Sequence, residues 1–187
     1  MDAFTMDTHA YKTIEIHGKH NIHTMVHGKK IKGTRAVMQE VTDILPSGKT
    51  QLDLLIKVYM ACNTADQPYS LLLERELRKK IQGYKSQDIK RTIYDQKQLI
   101  SYTEVVEKLV ASKLKCAYCM QSVYVLYKDV RDPTQWTLDR KDNTIGHSQD
   151  NTVICCLKCN LQRRRIDDDK FMFTKRLKIC KTGGPAP

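Results

Sequence analysis

The stretch that decides this chain opens with Cys116-Ala-Tyr-Cys119 and closes with Cys156-Leu-Lys-Cys159-Asn160. Between them stand Trp136-Thr-Leu-Asp139-Arg140-Lys-Asp142-Asn143 and Gly146-His147-Ser-Gln-Asp150-Asn151. Each C-x-x-C lets two thiolates converge from one tight turn, and four thiolates suit a tetrahedral zinc ion. The ligands are read as Cys116, Cys119, Cys156 and Cys159. Taking Cys155 in place of Cys156 would break the knuckle spacing, so Cys155 is read as a buried strand residue. Cys62 and Cys180 are read as free thiols. Among the cysteines lie oxygen and nitrogen side chains of the kind that hold a hard cation.

The bulk composition sets the class of partner. Of 187 residues, 32 are Lys or Arg and 21 are Asp or Glu, for a formal charge of +11. That balance favours a polyanion. Seven cysteines, four of them in metal-knuckle spacing, point to a reducing compartment rather than a disulfide framework. No run approaches the roughly 18 apolar residues of a membrane helix. Met1-Asp-Ala-Phe-Thr-Met-Asp7 lacks the basic and apolar parts of a secretory signal. The expectation is an intracellular protein, cytoplasmic or nuclear, with no membrane partner.

Working outward, the chain reads as α+β in four segments: a strand and hairpin segment at 1–33, a helical region at 34–112, a zinc-bearing module at 113–180 and a tail at 181–187. Tyr11–Ile16 and Ile22–Val26 read as short strands around a turn at His17-Gly-Lys19. His9, His17, His20, His23 and His27 fall here, and alternation would send them to different faces. A helix with Val37, Val41, Ile44 and Leu45 inward stops at Leu45-Pro46-Ser47-Gly48. A second runs from Thr50 to Cys62 with Leu52, Leu55, Ile56 and Tyr59 inward. Gly48-Lys49-Thr50 ends like a phosphate loop, but Asp43 stands where that motif needs glycine, so a turn with Thr50 capping the helix is the better reading. A third helix starts at Asp66 and Pro68, carries Leu72, Leu73, Leu77 and Ile81, and ends near Gly83. A short helix over Asp88–Tyr94 is a weaker expectation. Ser101-Tyr-Thr-Glu104 has capping-box spacing and begins a helix with Val105, Val106, Leu109 and Val110. Strands are expected at 120–128, 134–139 and 151–155, and a helix from Leu157.

The spaced elements between Cys116 and Asn160 resemble the HNH endonuclease motif in its zinc-bearing form. The version is L-D-R-x-D-N, then G-H-x-x-x-N, then C-x-x-C-N, common in phages and large DNA viruses. Arg163-Arg164-Arg165 and Asp168-Asp-Lys-Phe171 also resemble that family's helix and its acidic-aromatic sequel. The resemblance covers residues 113–173. It implies a treble-clef zinc site wrapping a ββα-metal unit, with Asp139 ending the first strand and Asn160 on the helix. Asp139 and Asn160 would hold a catalytic Mg²⁺ or Mn²⁺ through oxygen, and Asn151 would brace the loop between the strands. The implied activity is metal-dependent cleavage or nicking of DNA, with RNA not excluded.

One position departs from the family. Arg140 stands where the general-base histidine usually does, and a guanidinium accepts no proton from water. Three accounts stay open: His147 acts as the base, Asp142 does so with Arg140 clamping the phosphate, or the module binds DNA without cutting. Lys158, Arg163, Arg164 and Arg165 form a basic cluster after the last cysteines, read as gripping phosphates. Trp136 and Phe171 are read as core residues. The helical region is left to dock on DNA, on a protein partner or on a second copy of the chain.

Overall fold

The computed structural model describes residues 47–60 and 69–177, together with Glu15, His17–Lys19, Ile22 and Val26. The chain divides into two compact units, 1–33 and 34–187. In the first, Lys19, Ile22 and Val26 are helical. The Ile22 amide donates to the Gly18 carbonyl at 3.1 Å, the four-residue reach of an α-helix, so Ile22 and Val26 are helical where a strand was expected. The expected strand Tyr11–Ile16 apart from Glu15, the helix from Thr34, and His9, His20, His23 and His27 lie outside the described residues.

The second unit is α+β. Helix α1 spans Gly48–Tyr59 and is capped by Ser47, whose hydroxyl accepts the Thr50 amide at 3.2 Å, so Ser47 rather than Thr50 is the cap. It buries Gln51, Leu54 and Leu55, while Ile56 and Tyr59, expected inward, are exposed. Buried Gln51 explains the change of face. Its side-chain amide donates to the Leu126 carbonyl at 3.1 Å and accepts the Val125 and Leu126 amides, each at 2.9 Å. A side chain therefore does the work of a neighbouring strand. The strand expected over 120–128 is absent, and only the isolated bridges Lys115↔Ser122 and Tyr124↔Gln135 mark it. Val123, Val125 and Leu126 are nevertheless fully buried.

Helix α2 spans Ser70–Lys90 and passes straight through Gly83, where a stop was expected. A glycine inside a helix costs about 0.5–1 kcal/mol relative to alanine. Buried Leu72, Leu73 and Leu77 before it and Tyr84 and Asp88 after it hold the helix on both sides. Residues 85–90 thus continue α2 rather than opening a new helix. Helix α3, Tyr102–Ala111, begins on the expected capping box: the Ser101 hydroxyl accepts the Glu104 amide at 3.3 Å, and Glu104 accepts the Ser101 amide at 2.7 Å.

Strands β1 (Trp136–Arg140) and β2 (Thr152–Cys156) form an antiparallel pair, with Trp136 opposite Cys156 and Arg140 opposite Thr152. Helix α4, Leu157–Arg163, follows β2 without a break, and α5 spans Asp168–Arg176. The helices and the hairpin share one core, from Leu55, Leu73, Leu77 and Leu109 to Trp136, Leu138 and Ile154. Tyr118 and Phe171 meet edge to face at 5.0 Å within it. Among the described residues no helix is long and apolar enough to cross a membrane.

Two substitutions test this frame. At Gly83 an added Cβ would meet nothing within 4 Å. Gly83→Ala should therefore raise unfolding stability by about 0.5–1 kcal/mol in denaturant titrations. Gln51→Leu should lower it by about 1–3 kcal/mol for each backbone group left buried without a partner.

Candidate functional site

Two chain segments deliver four sulfurs to one place. Cys116 and Cys119 sit on a knuckle whose Ala117 amide donates to the Ile154 carbonyl of β2 at 2.9 Å. Cys156 ends β2 and is also the N-cap of α4, its sulfur accepting the Cys159 amide at 3.4 Å. The four sulfur atoms lie within 4.8 Å of one another. Cys119 and Cys156 are 3.9 Å apart, close to the edge of about 3.8 Å that ~2.3 Å zinc–sulfur bonds give a tetrahedron.

Proton sharing shows what the cluster lacks as four thiols. A hydrogen bond from the Cys156 thiol holds Cys116 down to about 4. The same shared bond, then burial, pushes Cys156 up. Burial, then the charge on Cys116, pushes Cys159 up to about 12. One thiolate here forces its neighbours to keep their protons, and a bound dication would relieve that conflict. The donor set fits a metal such as zinc. Cys155 stands apart: it is fully buried, its sulfur lies 3.1 Å from the Thr137 hydroxyl, and burial raises it well above an ordinary thiol.

Beside the cluster, a groove of about 1630 Å³ runs between α2, the β1 end of the hairpin and α4. Asp139, Arg140, His147 and Asn160 all line it, as do Arg164 and Arg165. Asn151 does not line it but shapes its wall. The Asn151 side chain donates to the carbonyls of Asp142 (2.9 Å), Gly146 (3.0 Å) and Ile145 (3.3 Å), and accepts the Asp142 amide at 2.9 Å. One asparagine thus braces the 141–151 loop through four backbone bonds. Asp142 faces solvent and spends one carboxylate oxygen on the amide and hydroxyl of Thr144, whose bonds pull it below its ordinary value.

Asp139 is buried and paired. Arg163 grips it with two nitrogens, Nη2 reaching Oδ1 at 2.9 Å and Nε reaching Oδ2. The Tyr118 hydroxyl donates to Oδ2 at 2.7 Å. Arg163 is 1% exposed, and its remaining bonds go to the carbonyls of Arg140 and Ile166. Burial alone would weaken the guanidinium's hold on its proton, but Asp139 outweighs it and leaves Arg163 above its usual range. Arg163, read from the sequence with its exposed neighbours, is a buried partner of Asp139, and it too lines the groove. Lys158, Arg164 and Arg165 are exposed, and Lys158 lies outside the groove lining. Asn160, one helical turn before Arg163, donates to the Thr137 hydroxyl at 3.1 Å.

Each carboxylate oxygen has two acceptor positions. Those of Asp139 Oδ2 are filled by Arg163 and Tyr118, while Oδ1 receives one bond, from Arg163.

His147 reaches the groove by an arrangement the sequence reading did not find. Its amide donates to Asp88 Oδ2 at 2.7 Å, its Nδ1 lies 2.7 Å from Asp88 Oδ1, and its carbonyl accepts the Ile100 amide at 2.8 Å. The Tyr84 ring stacks on it at 4.6 Å, and the Tyr84 hydroxyl accepts the Leu138 amide at 2.9 Å. Arg140 Nη1 stands 3.7 Å from Asp88 Oδ1 and bonds the Ile145 carbonyl at 3.2 Å. Burial is the main influence on His147 and pushes it below its ordinary value; Asp88 opposes this, and Arg140 and Arg91 add to it. Burial therefore favours the neutral imidazole over the charged one. Asp88 stands out only once the helix is seen to run through Gly83: it is then an acidic residue in the last turn, against the macrodipole, and it is held by a specific partner.

No family model, curated protein or solved structure matches the chain.

Two predictions follow from this geometry. Purified protein should carry about one zinc per chain by elemental analysis, and Cys159→Ser should lose both the metal and the β1–β2–α4 fold, read as loss of amide dispersion by NMR. A Cβ at Gly146 would lie 2.8 Å from the Ile93 carbonyl and 3.1 Å from Asp88 Oδ2. Gly146→Ala should therefore lever the loop off α2 and destabilise the fold by about 1–3 kcal/mol, with loss of hydrogen-exchange protection at the His147 amide.

Proposed function

We propose that this chain is a metal-dependent DNA endonuclease or nickase of HNH type, built on a treble-clef zinc site and a ββα-metal unit. The observation that carries the reading is the groove itself. Asp139 from β1, His147 from the loop and Asn160 from α4 line one cavity, with Arg140, Arg164 and Arg165 supplying positive charge to it.

In this reading Asp139 and Asn160 hold a divalent cation, which when bound stabilises the departing 3′-oxygen and the charge of the crowded phosphate. His147, buried and neutral, takes a proton from the attacking water. Arg140 cannot take that proton, and its guanidinium instead supplies charge to the phosphate. Arg164 and Arg165 steer and hold the backbone without reading its sequence. Asp142 is a poorer base than His147, because Thr144 already uses its oxygen and holds its pKa down.

A second reading is favoured by the Asp139–Arg163 pair. A guanidinium already neutralises the carboxylate that a cation would need. That arrangement suits a zinc-bearing DNA-binding or assembly protein that keeps the scaffold and does not cut.

Supercoiled plasmid separates the two. With Mg²⁺ or Mn²⁺ the protein should nick it, and EDTA should stop the reaction. Asn160→Ala should abolish nicking while zinc and fold remain; Asp139→Asn should abolish it too, but by stripping buried Arg163 of its partner it should also lower stability by about 3–5 kcal/mol. His147→Ala should slow it by about 10²–10⁴-fold. The base works only when deprotonated, so the rate should rise with pH through a midpoint below the ordinary histidine value and then level off. Binding to duplex without nicking under any divalent ion supports the second reading. In either case Arg164→Ala with Arg165→Ala should lower the slope of log affinity against log salt by about two units, at roughly 0.9 per phosphate contact.

A further inference from the structure

We infer that Asp88, on a helix outside the motif-bearing segment, is a positioning residue that fixes the His147 imidazole with its proton on Nδ1 and its acceptor on Nε2. The inference rests on the hydrolytic reading of the groove only for its effect on rate.

The geometry is two-pronged. Asp88 Oδ2 takes the His147 backbone amide at 2.7 Å, which sets the position of the Cα, and Oδ1 meets Nδ1 at 2.7 Å, which sets the ring. A carboxylate only accepts, so Nδ1 is the atom that carries the hydrogen and Nε2 keeps the lone pair. Among the described residues none bonds Nε2. The ring is held from its flat side by Tyr84, one turn before Asp88 on the same helix. The carbonyl of His147 is held by Ile100, so backbone and ring are both fixed. Gly146 is what lets the loop come this close, since a side chain there would strike Ile93 and Asp88.

Such precision exceeds what a loop tether needs. A tether requires the backbone bond alone, and it does not call for a buried carboxylate in the last turn of a helix, where the macrodipole disfavours negative charge. Asp88 is 1% exposed, and His147, 4% exposed, still lines the groove. The charged and titratable groups around the ring are Asp88 and Tyr84 from α2, Arg91 at its C-cap and Arg140 from β1. A proton acceptor in this site therefore depends on α2, and the segment 113–173 does not contain all of its own site.

The test is the ring tautomer, read by ¹⁵N NMR of histidine-labelled full-length protein, with the His147 signals assigned by their loss in His147→Gln. Wild-type His147 should show hydrogen on Nδ1. In Asp88→Asn the side-chain amide donates to Nδ1 in place of accepting from it, so the hydrogen should move to Nε2. Nicking by that variant should then fall by about 10²–10⁴-fold. Asp88→Glu, which keeps an acceptor, should retain the Nδ1–H form and part of the rate. Removing the Asp88 charge also removes the one group that favours imidazolium, so the His147 titration should move to still lower pH. An Nε2–H ring in the wild type, or a tautomer unmoved in Asp88→Asn, overturns the proposal. So does a tautomer that moves with no change in nicking rate. A merely structural Asp88 would lower the melting temperature and leave the tautomer where it was. If wild-type protein nicks nothing, the hydrolytic reading fails, and the tautomer still decides whether Asp88 sets His147.

Discussion

The cluster of four sulfurs within 4.8 Å is the constraint from which the rest of the site is laid out. A two-stranded hairpin of five-residue strands is not stable alone in water. Here the end of the hairpin where Trp136 meets Cys156 is clamped by Cys116 and Cys119, and Cys156 carries the chain from that same end into α4. Because Cys156 both ends β2 and caps α4, the direction of the helix is set by the cluster. Asn160 and Arg163 then fall one turn apart on the face turned to β1. The distance from the sulfur cluster to the groove is thus set by the short run of helix between Cys156 and Arg163, with little left to side-chain choice.

The second determinant is the buried charge at Asp139. An isolated carboxylate at this depth would be costly, and Arg163 and Tyr118 offset that cost with three bonds. Pairs of this kind add less to stability than their geometry suggests, yet losing one partner typically costs about 3–5 kcal/mol. Their other consequence is order: three bonds hold the Asp139 carboxylate in one orientation in the wall of the groove.

Much of the fold was legible in local signals. The knuckle spacing located the sulfur cluster, the capping box located α3, and the Val- and Thr-rich runs located β1 and β2. The misses have specific causes. Gly83 reads as a helix stop, but leucines before it and Tyr84 and Asp88 after it are buried, and burial outweighs a cost of about 1 kcal/mol. Residues 120–128 read as a strand, but the partner for their amides is the side chain of Gln51, distant in sequence. Arg163 reads as one of three equivalent arginines, because a run of like residues gives no hint of which one faces inward.

By itself the sequence determined the chemistry of the donors: which thiols cluster, which oxygens and which imidazole accompany them, and the positive balance around them. Those properties follow from residue type and short-range spacing, which a chain carries with it. Only the tertiary structure decided how the groups are paired. Asp139 meets Arg163 because α4 crosses β1, and His147 meets Asp88 because α2 runs on past Gly83 and the loop closes over it at Gly146. Such pairings join residues far apart along the chain. They are set by where the shared core places each element, and no local pattern encodes that.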